Sequence, residues 1–282
     1  LWRGIVMLNE YENYLINSGK SSNTVKSYVL HIKNYMTWIQ DTYGQDMERL
    51  YRANVLDYIA YLKNIKKLTA QSINAKLSAL ISLNTFLMDS GIQSDIVVTN
   101  HDSIKVQVQY ASPSIISKQE VEQFRQTILT HQGIRDYTIV TVMAYAGLRI
   151  SEVLNLKIDD CDIVAKELVV NGKGNKQRTV YLNDKIINAI KEYLQQRHSD
   201  SEYLFTSRQR DKLNRTRINQ IFNQYSDQIT PHTLRHFYCS NALECGYSIH
   251  EVANQAGHSN IHTTLLYSNP SKDKMKQKAN LL

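Results

Sequence analysis

The sequence predicts a mainly α-helical protein with a small antiparallel β-sheet in the second of two domains. Its 282 residues are 42% hydrophobic and 21% charged, a length that favours two compact domains of roughly 100 to 200 residues each. Apolar residues recur at helical spacing through the first hundred residues, whereas two short runs of β-type residues follow near residue 170. The chain shows no internal repeat and no regular alternation of strands and helices, which excludes solenoid and doubly wound folds.

The first domain, residues 1–95, is predicted to be a bundle of about four helices. Two apolar stripes mark its longer helices, Val25, Val29, Ile32, Met36 and Ile39 in one and Ile73, Leu77, Leu80, Ile81 and Leu87 in the other. Either Asn23 or Thr24, then Asn54 and Thr69, stand where helix N-caps are expected. A bundle of this size is typical of a binding module.

A linker over residues 96–113 separates this bundle from the second domain, residues 114–282. Periodicity weakens in the linker, where polar and β-branched residues mix. The second domain begins with Ser117 and Glu120 at capping-box spacing, and a helix over Tyr137–Ala146 follows. Helical spacing returns after the β-type region, at Ile186–Tyr193, Ile218–Tyr225, His232–Leu243 and Ile249–Ala256.

The β-type runs predict a hairpin with a basic tip. Glu167–Val170 and Thr179–Leu182 are rich in Val, Thr and Tyr, and the segment NGKGNK joins them. Its lysines, Lys173 and Lys176, are either two solvated turn residues or part of a site. The GxxxxGK[ST] spacing of a phosphate-binding P-loop is absent.

The charge and the cysteine content indicate a basic protein of a reducing compartment. Thirty-three lysines and arginines against 26 aspartates and glutamates give a net charge of +7, which fits a polyanionic partner such as nucleic acid but does not prove one. Cys161, Cys239 and Cys245 are odd in number and form no CxxC pair, which argues against a disulfide framework and a zinc site. No apolar run approaches the ~18 residues that a membrane span requires. We therefore expect a cytoplasmic protein.

The segment AGLRISE places Arg149 just beyond a predicted helix end. The glycine before it permits a sharp reversal that can direct the guanidinium into a cleft. An exposed arginine near a helix start is the simpler alternative. The motif is therefore informative only together with others.

A second polar group lies at a predicted helix start, PHTLRH. Pro231 suits the first helical position, and His232 and Arg235 at i and i+3 lie on one face. Unpaired backbone N–H groups there favour an anion. His236, four residues after His232, also permits a metal interpretation, but Thr233 stands where an HExxH zinc motif has its glutamate. A solvated helix start remains the alternative.

The last group contains His258, which follows a glycine, and Tyr267, nine residues later. With 18 tyrosines in the chain, any one of them is more often a packing or surface residue, so only the neighbouring motifs single out Tyr267. The acidic residues Asp159, Asp160 and Asp162 are interpreted as an exposed turn, because a metal site needs convergent ligands.

Two arginines, two histidines, a lysine and a tyrosine suit metal-free transfer of a phosphodiester. Guanidinium groups can hold the non-bridging oxygens and stabilise the charge of the pentacoordinate transition state. A phenol can attack phosphorus when nearby cations or a base activate it. A flexible lysine can protonate the departing sugar oxygen.

The order of these residues resembles that of the tyrosine recombinases of the phage-integrase and Xer type. The resemblance covers nearly the whole chain and is carried by AGLRISE, GKGNKQR, PHTLRH, GHSNIHTT and the tyrosine that follows. It implies the catalytic residues Arg149, Lys173, His232, Arg235, His258 and Tyr267, with Glu152 as a supporting acid. Lys176 is the less favoured lysine, because the family pattern places the acid between the two glycines. Ala256 departs from the usual leucine, which affects packing more than chemistry.

The resemblance also implies a fold, a mechanism and partners. A helical, SAM-like core-binding domain and the catalytic domain would clamp double-stranded DNA at inverted-repeat core sites. Tyr267 would form a 3′-phosphotyrosyl link and release a 5′-hydroxyl, with no metal, ATP or other cofactor. Family members act as homotetramers on two sites and exchange a C-terminal helix, which residues 271–282 would supply unless they form a frayed tail.

The implied function is site-specific DNA recombination, for the integration, excision or cointegrate resolution of a mobile element. The chain starts almost at its first helix, without the extra residues of arm-binding integrases, so a simple recombinase or a transposon-encoded cointegrate resolvase is expected. Two alternatives stay open. A type IB topoisomerase-like enzyme would relax a single duplex by similar chemistry, and a DNA-binding repressor would keep the fold without catalysis.

Overall fold

The computed structural model describes residues 2–106, 116–172, 176–207, 212–258 and 262–265, together with 276, 279 and 280. The chain divides into two compact units, Leu1–Val108 and Gln109–Leu282. Across these described ranges, every helix is too short or too polar to cross a membrane. The predicted fold class, mainly helical with a small antiparallel sheet, is confirmed.

Within the residues described, all regular secondary structure of the first unit is helical. Its helices are α1 Trp2–Asn17, α2 Ser22–Tyr43, α3 Arg52–Ala60 and α4 Ala70–Asp89, with a π-helical turn at Tyr61–Ile65 and a 3₁₀ turn at Asn100–Asp102. Thr69 caps α4 as predicted. The predicted caps of α2 and α3 are wrong: Ser21 caps α2, since its hydroxyl accepts from the Thr24 N–H, and α3 follows Tyr51 without a side-chain cap.

Residues 96–106, the first part of the predicted linker, belong to the first unit and pack against α4. The side-chain oxygen of Asn84 accepts the N–H groups of Val97 and Val98 at 2.8 and 3.3 Å, and both valines are buried. Asn74 bonds both the N–H and the carbonyl of Ile104, at 2.9 and 2.8 Å. Two amides on α4 therefore replace the backbone partners that this segment lacks.

One helix of the second unit is almost entirely buried, and other elements of the unit pack around it. Its elements are α5 Lys118–Gln132, α6 Ile134–Ala146, α7 Ile150–Asn155, a 3₁₀ turn Ile158–Asp160, β1 Cys161–Asp162, β2 Glu167–Asn171, β3 Gln177–Tyr181, α8 Asp184–Gln196, α9 Arg215–Tyr225, α10 Pro231–Glu244, α11 Ile249–Ala256 and α12 His262–Leu265. The capping box predicted at Ser117 and Glu120 is present. Residues 138–144 of α6 are all buried, as expected of a helix at the centre of a core.

The predicted hairpin is β2 and β3, paired antiparallel with Glu167 opposite Tyr181 and Asn171 opposite Gln177. The two-residue strand β1 adds to the other edge of β2, giving the order β1-β2-β3. Strand β1 was not predicted, because two residues are too few to show alternation.

Candidate functional site

A sharp turn between two helices places Arg149. Helix α6 ends at Gly147, whose φ is 64°, and a Cβ there would lie 2.1 Å from Cδ1 of Tyr238. Only glycine fits both this left-handed conformation and this close approach. Arg149 then becomes the N-cap residue of α7, its Nη1 donating to Oε1 of Glu152 at 2.8 Å and its backbone N–H to Oε2 at 2.9 Å. The reversal predicted from the glycine is present.

Arg235 on α10 is a buried cation with an incomplete set of partners. Its side chain is 6% exposed, and Nη1 donates to the carbonyl of Gly147 at 2.7 Å. Nη2 is buried and has no hydrogen-bond partner in the described part of the structure. Burial, and then repulsion by Arg149, lower the pKa of Arg235 to about 10. The guanidinium stays charged at neutral pH, and a buried, unpaired charge of this kind is costly unless an anion meets it.

His258 lies at the end of α11, next to the two arginines. Gly257 ends that helix in the left-handed region, and the His258 N–H donates back to the carbonyl of Ala253 at 2.9 Å. Nδ1 of His258 is 2.7 Å from Oγ1 of Thr264. Burial, and then the positive charges of Arg235 and others, lower its pKa to about 4, so the imidazole is neutral at pH 7.

His232 and His236 form a pair on the first turns of α10. Their Nε2 atoms are 2.7 Å apart, and the rings meet edge to face. Burial and the charge of Arg235 lower the pKa of His232, and burial lowers that of His236 to about 4. Both histidines are therefore neutral near pH 7 and can share a proton along their Nε2 contact. Because His232 and Arg235 share one helix face, as predicted, the charge of Arg235 lowers the pKa of His232.

Sequence reasoning missed Arg178, the third arginine of the site. Its Nη1 and Nη2 donate to the two carboxylate oxygens of Glu152 at 3.1 and 2.9 Å. Burial favours a raised pKa for Glu152, but hydrogen bonds from Arg178 and Arg149 outweigh it and hold that pKa below its ordinary value. Alternation along β3 is the signal that could have found Arg178, because it stands two residues before buried Val180, on the inward-facing side.

Within the described residues, Arg149, Arg178 and Arg235 converge with a single carboxylate, that of Glu152. Arg149 and Arg178 both bond Glu152, and Arg149 also bonds the Gly257 carbonyl next to His258. The positive charges of all three arginines favour the neutral form of His258 and so lower its pKa. Their excess positive charge and the unpartnered Nη2 of Arg235 form a site that suits an anion with several oxygens.

Two of the predicted site residues, Lys173 and Tyr267, lie outside the described residues. Lys176 is described and exposed at the start of the returning hairpin segment, where its carbonyl accepts the Gly172 N–H at 2.8 Å. The structure thus brings Arg149, Glu152, His232, Arg235 and His258 together and leaves Lys173 and Tyr267 as predictions.

The predicted acidic turn is present. Asp160 accepts the Lys157 N–H at 2.8 Å, and Asp162 accepts the N–H groups of Val164 and Ala165 at 2.9 and 2.8 Å. These carboxylates are thus used in local turns. No group of three or more His, Cys, Asp or Glu side chains suited to a metal occurs among the residues described.

Family comparisons match both units of the chain. The phage integrase family matches residues 114–274, more than half of the chain, and the N-terminal SAM-like domain of phage integrases matches residues 8–91. The chain belongs to the phage integrase family. It is therefore a tyrosine recombinase, an enzyme of site-specific recombination, as the motifs predicted.

Individual relatives agree over almost the full length. The TnP I resolvase of Bacillus thuringiensis is 49% identical, over 97% of this chain and 98% of that protein. The tyrosine recombinase XerA of Thermococcus kodakarensis is 30% identical, over 98% of this chain and 96% of the relative.

Solved structures share the fold. A Tn1549 transposon integrase in complex with transposon right end DNA has a TM-score of 0.71 at 16% identity, covering 97% of this recombinase and 98% of that chain. A lambda integrase dimer bound to a core site has a TM-score of 0.70 at 16% identity, covering 92% and 96%. At such low identity the likeness concerns the fold alone.

Proposed function

We propose that this tyrosine recombinase cuts and rejoins double-stranded DNA through a 3′-phosphotyrosyl intermediate formed by Tyr267. The phenol oxygen attacks phosphorus, the bond to the 5′-oxygen breaks, and that oxygen leaves as a hydroxyl. The freed hydroxyl then attacks the phosphotyrosine of a partner strand and releases the tyrosine. Because the covalent link retains the energy of the phosphodiester, the reaction needs neither metal nor ATP.

The observation that carries this proposal is the uncompensated charge around Arg235. Its Nη2 is buried without a partner among the described residues, and Arg149 and Arg178 add two cations against the one carboxylate of Glu152. A phosphodiester supplies the missing negative charge and acceptors. Arg149 and Arg235 then bind the non-bridging oxygens, where charge builds up in the transition state.

The other side chains of the site supply hydrogen bonds and a proton to the reacting phosphate. His258 and His232 have lowered pKa values and are neutral at pH 7, so each can donate one hydrogen bond and accept another near the reacting phosphate. Lys173 is proposed as the acid for the leaving 5′-oxygen, with Lys176 as the alternative. Glu152 orients Arg149 through its two hydrogen bonds.

We further propose the assembly and the biological outcome. DNA-bound relatives support duplex DNA as the substrate, with inverted-repeat core sites held between a core-binding domain (residues 1–95) and a catalytic domain (114–282) joined by a linker (96–113). A homotetramer on two sites would exchange the segment 271–282. The resolvase relative supports cointegrate resolution of a transposon. Three free cysteines support the cytoplasm as the compartment.

Trapping on nicked DNA tests the covalent step. The protein first selects its site from a random-sequence duplex library, and the selected duplex is then nicked next to the cleavage point so that religation fails. We expect wild type to form an adduct that survives denaturation, and Tyr267→Phe to bind the duplex with unchanged affinity but form none. An adduct with Tyr267→Phe would disprove this nucleophile.

A supercoiled plasmid carrying two selected sites tests the outcome. Recombination predicts two separate product circles or an inverted segment. Relaxation without exchange would favour the topoisomerase-like alternative, and binding without any adduct would favour the repressor.

A further inference from the structure

The side chain of Arg178 donates hydrogen bonds to two elements outside its own strand. Besides the two oxygens of Glu152, its Nε donates to the carbonyl of Gln255 at 3.0 Å and its Nη2 to that of Ala256 at 3.3 Å. The side chain is 15% exposed. One planar guanidinium on the hairpin thus ties together α7 and the last turn of α11.

Both ends of this connection lead to residues that bind the phosphate in the proposed function. Glu152 is shared, because the oxygens that accept from Arg178 also accept the Nη1 and the backbone N–H of Arg149. The carbonyl of Gly257, next after those that Arg178 holds, accepts Nη2 of Arg149 at 2.8 Å. A displacement of Arg178 therefore displaces both anchors of Arg149.

The backbone of Gly257 packs directly against the guanidinium of Arg178. A Cβ at Gly257 would lie 2.6 Å from Cζ and Nη1 of Arg178. Gly44, which ends α2, has the same φ of 68°, yet nothing lies within 4 Å of a Cβ placed there. The glycine of the GH motif thus leaves room for a guanidinium as well as for a turn.

A purely structural arginine in the same unit provides the contrast. Arg197, after α8, donates to the carbonyls of Ser201 at 2.6 Å, Tyr203 at 2.8 Å and Leu204 at 3.2 Å, and to that of Ser199. Those bonds close a local loop and reach no residue of the site. Arg178 differs because its carboxylate partner also holds Arg149.

We propose that Arg178 is a positioning residue that fixes the Arg149 guanidinium through the shared carboxylate of Glu152 and the end of α11. This inference rests on the proposed function, since it assumes that Arg149 binds the reacting phosphate. Arg178 itself touches no substrate.

Single-turnover cleavage of the nicked duplex by Arg178→Lys tests this role. Lysine keeps the charge but has no planar fork to bond both carboxylate oxygens and the carbonyls together. Since a small misplacement of a catalytic group costs up to about 100-fold, we expect cleavage to slow by about 10- to 100-fold with DNA affinity within about threefold. The matched control, Arg197→Lys, should cleave within about twofold of wild type at temperatures where it is folded.

Two further readouts separate positioning from general damage. Glu152→Gln should slow cleavage by a similar factor, and the double variant Arg178→Lys with Glu152→Gln should lose no more than the worse single variant, because both act on one group. A 5′-thio leaving group, which needs no protonation, should not rescue Arg178→Lys. Additive losses would overturn the proposal, as would rescue by the 5′-thio group, which would place the effect on the lysine of the hairpin tip.

Gly257→Ala is the second variant, in case Arg178→Lys does not fold. Its Cβ displaces the guanidinium, so cleavage should slow by about 10-fold or more relative to Gly44→Ala, which carries the same backbone strain in open space. Equal cleavage by the two alanine variants, or wild-type cleavage by Arg178→Lys, would overturn the inference. Failure of wild type to form any adduct would instead overturn the proposed function, and this inference with it.

Discussion

Two buried arginines of the second unit, Arg125 and Arg235, are 3% and 6% exposed, but their surroundings differ. Arg125 has a partner for every nitrogen: Nε donates to Thr141 at 3.0 Å, Nη1 to Glu122 and Nη2 to the hydroxyl of Tyr137. Its guanidinium also lies 4.7 Å from the centre of the Tyr137 ring. This arginine is satisfied by its own protein.

Among the described residues, Arg235 donates one hydrogen bond, to the carbonyl of Gly147, and its Nη2 has no partner. Two neighbouring cations, Arg149 and Arg178, add to its charge. The difference separates an arginine that its own protein neutralises from one that, in the proposed function, binds the substrate phosphate. Arg125 is neutralised and fully hydrogen-bonded, whereas Arg235 has an unpaired donor and an uncompensated positive charge.

The largest expected effect comes from removing the uncompensated charge of Arg235. Arg235→Met should reduce cleavage by about 10³-fold, because the unpartnered Nη2 donor and the positive charge at the transition-state oxygens are lost. Its melting temperature should equal or exceed that of wild type, since a buried, poorly paired cation disappears. Single-turnover cleavage and thermal unfolding measure the two quantities. A large loss of stability would remove the contrast with Arg125.

The second effect concerns the leaving group rather than the arginines. Lys173→Ala should slow cleavage by about 100-fold, and a 5′-thio leaving group should restore the rate, because a better leaving group needs no acid. Lys176→Ala is the matched control and should cleave at nearly the wild-type rate. If the thio substrate rescued Lys176→Ala instead, the acid role would move to that lysine.

At Arg125 we expect the opposite result, a loss of stability with little change in cleavage. Arg125→Met should lower the free energy of unfolding by about 2 kcal/mol, because Glu122 and the hydroxyl oxygens of Thr141 and Tyr137 each lose a buried donor. The folded variant should cleave within a few-fold of wild type. Denaturant unfolding measures the first quantity, and equal stability of this variant and Arg235→Met would break the comparison.

The smallest effect is a pH dependence of stability. His258 and His236 have pKa values of about 4 in the folded state against 6.5 in an unfolded chain. The unfolded chain therefore binds protons first, so the free energy of unfolding should fall as the pH drops from 6.5 towards 4 and gain nothing further above 6.5. His258→Asn should flatten this decline in denaturant titrations. An unchanged slope would show that His258 is not held neutral.

Local signals in the sequence were enough for much of the fold. Helical spacing located α2, α4, α5 and α8 to α11, and the Ser117 and Glu120 capping box is formed as expected. The cap of α2 was misplaced because Ser21 stands beside other residues able to cap, and only packing decides among them. Strand β1 depends on pairing with β2, which no two-residue pattern reveals.

The local placement of Arg149 and Arg235 could be predicted from the sequence, because a glycine or a proline marks the turn before each of them. For Arg178, alternation along β3 shows only an inward-facing position, because its partners are Glu152, 26 positions away, and carbonyls 77 and 78 positions away. The unpartnered Nη2 of Arg235 is likewise a property of packing and not of any motif.

Mapping the covalent link tests the central claim most directly. Wild-type protein trapped on the nicked duplex is digested with protease and nuclease, and fragmentation mass spectrometry locates the nucleotide-bearing residue among the 18 tyrosines and all other side chains. The account predicts a 3′-phosphotyrosyl group on Tyr267. A nucleotide on any other residue, or one attached through its 5′-phosphate, would contradict it.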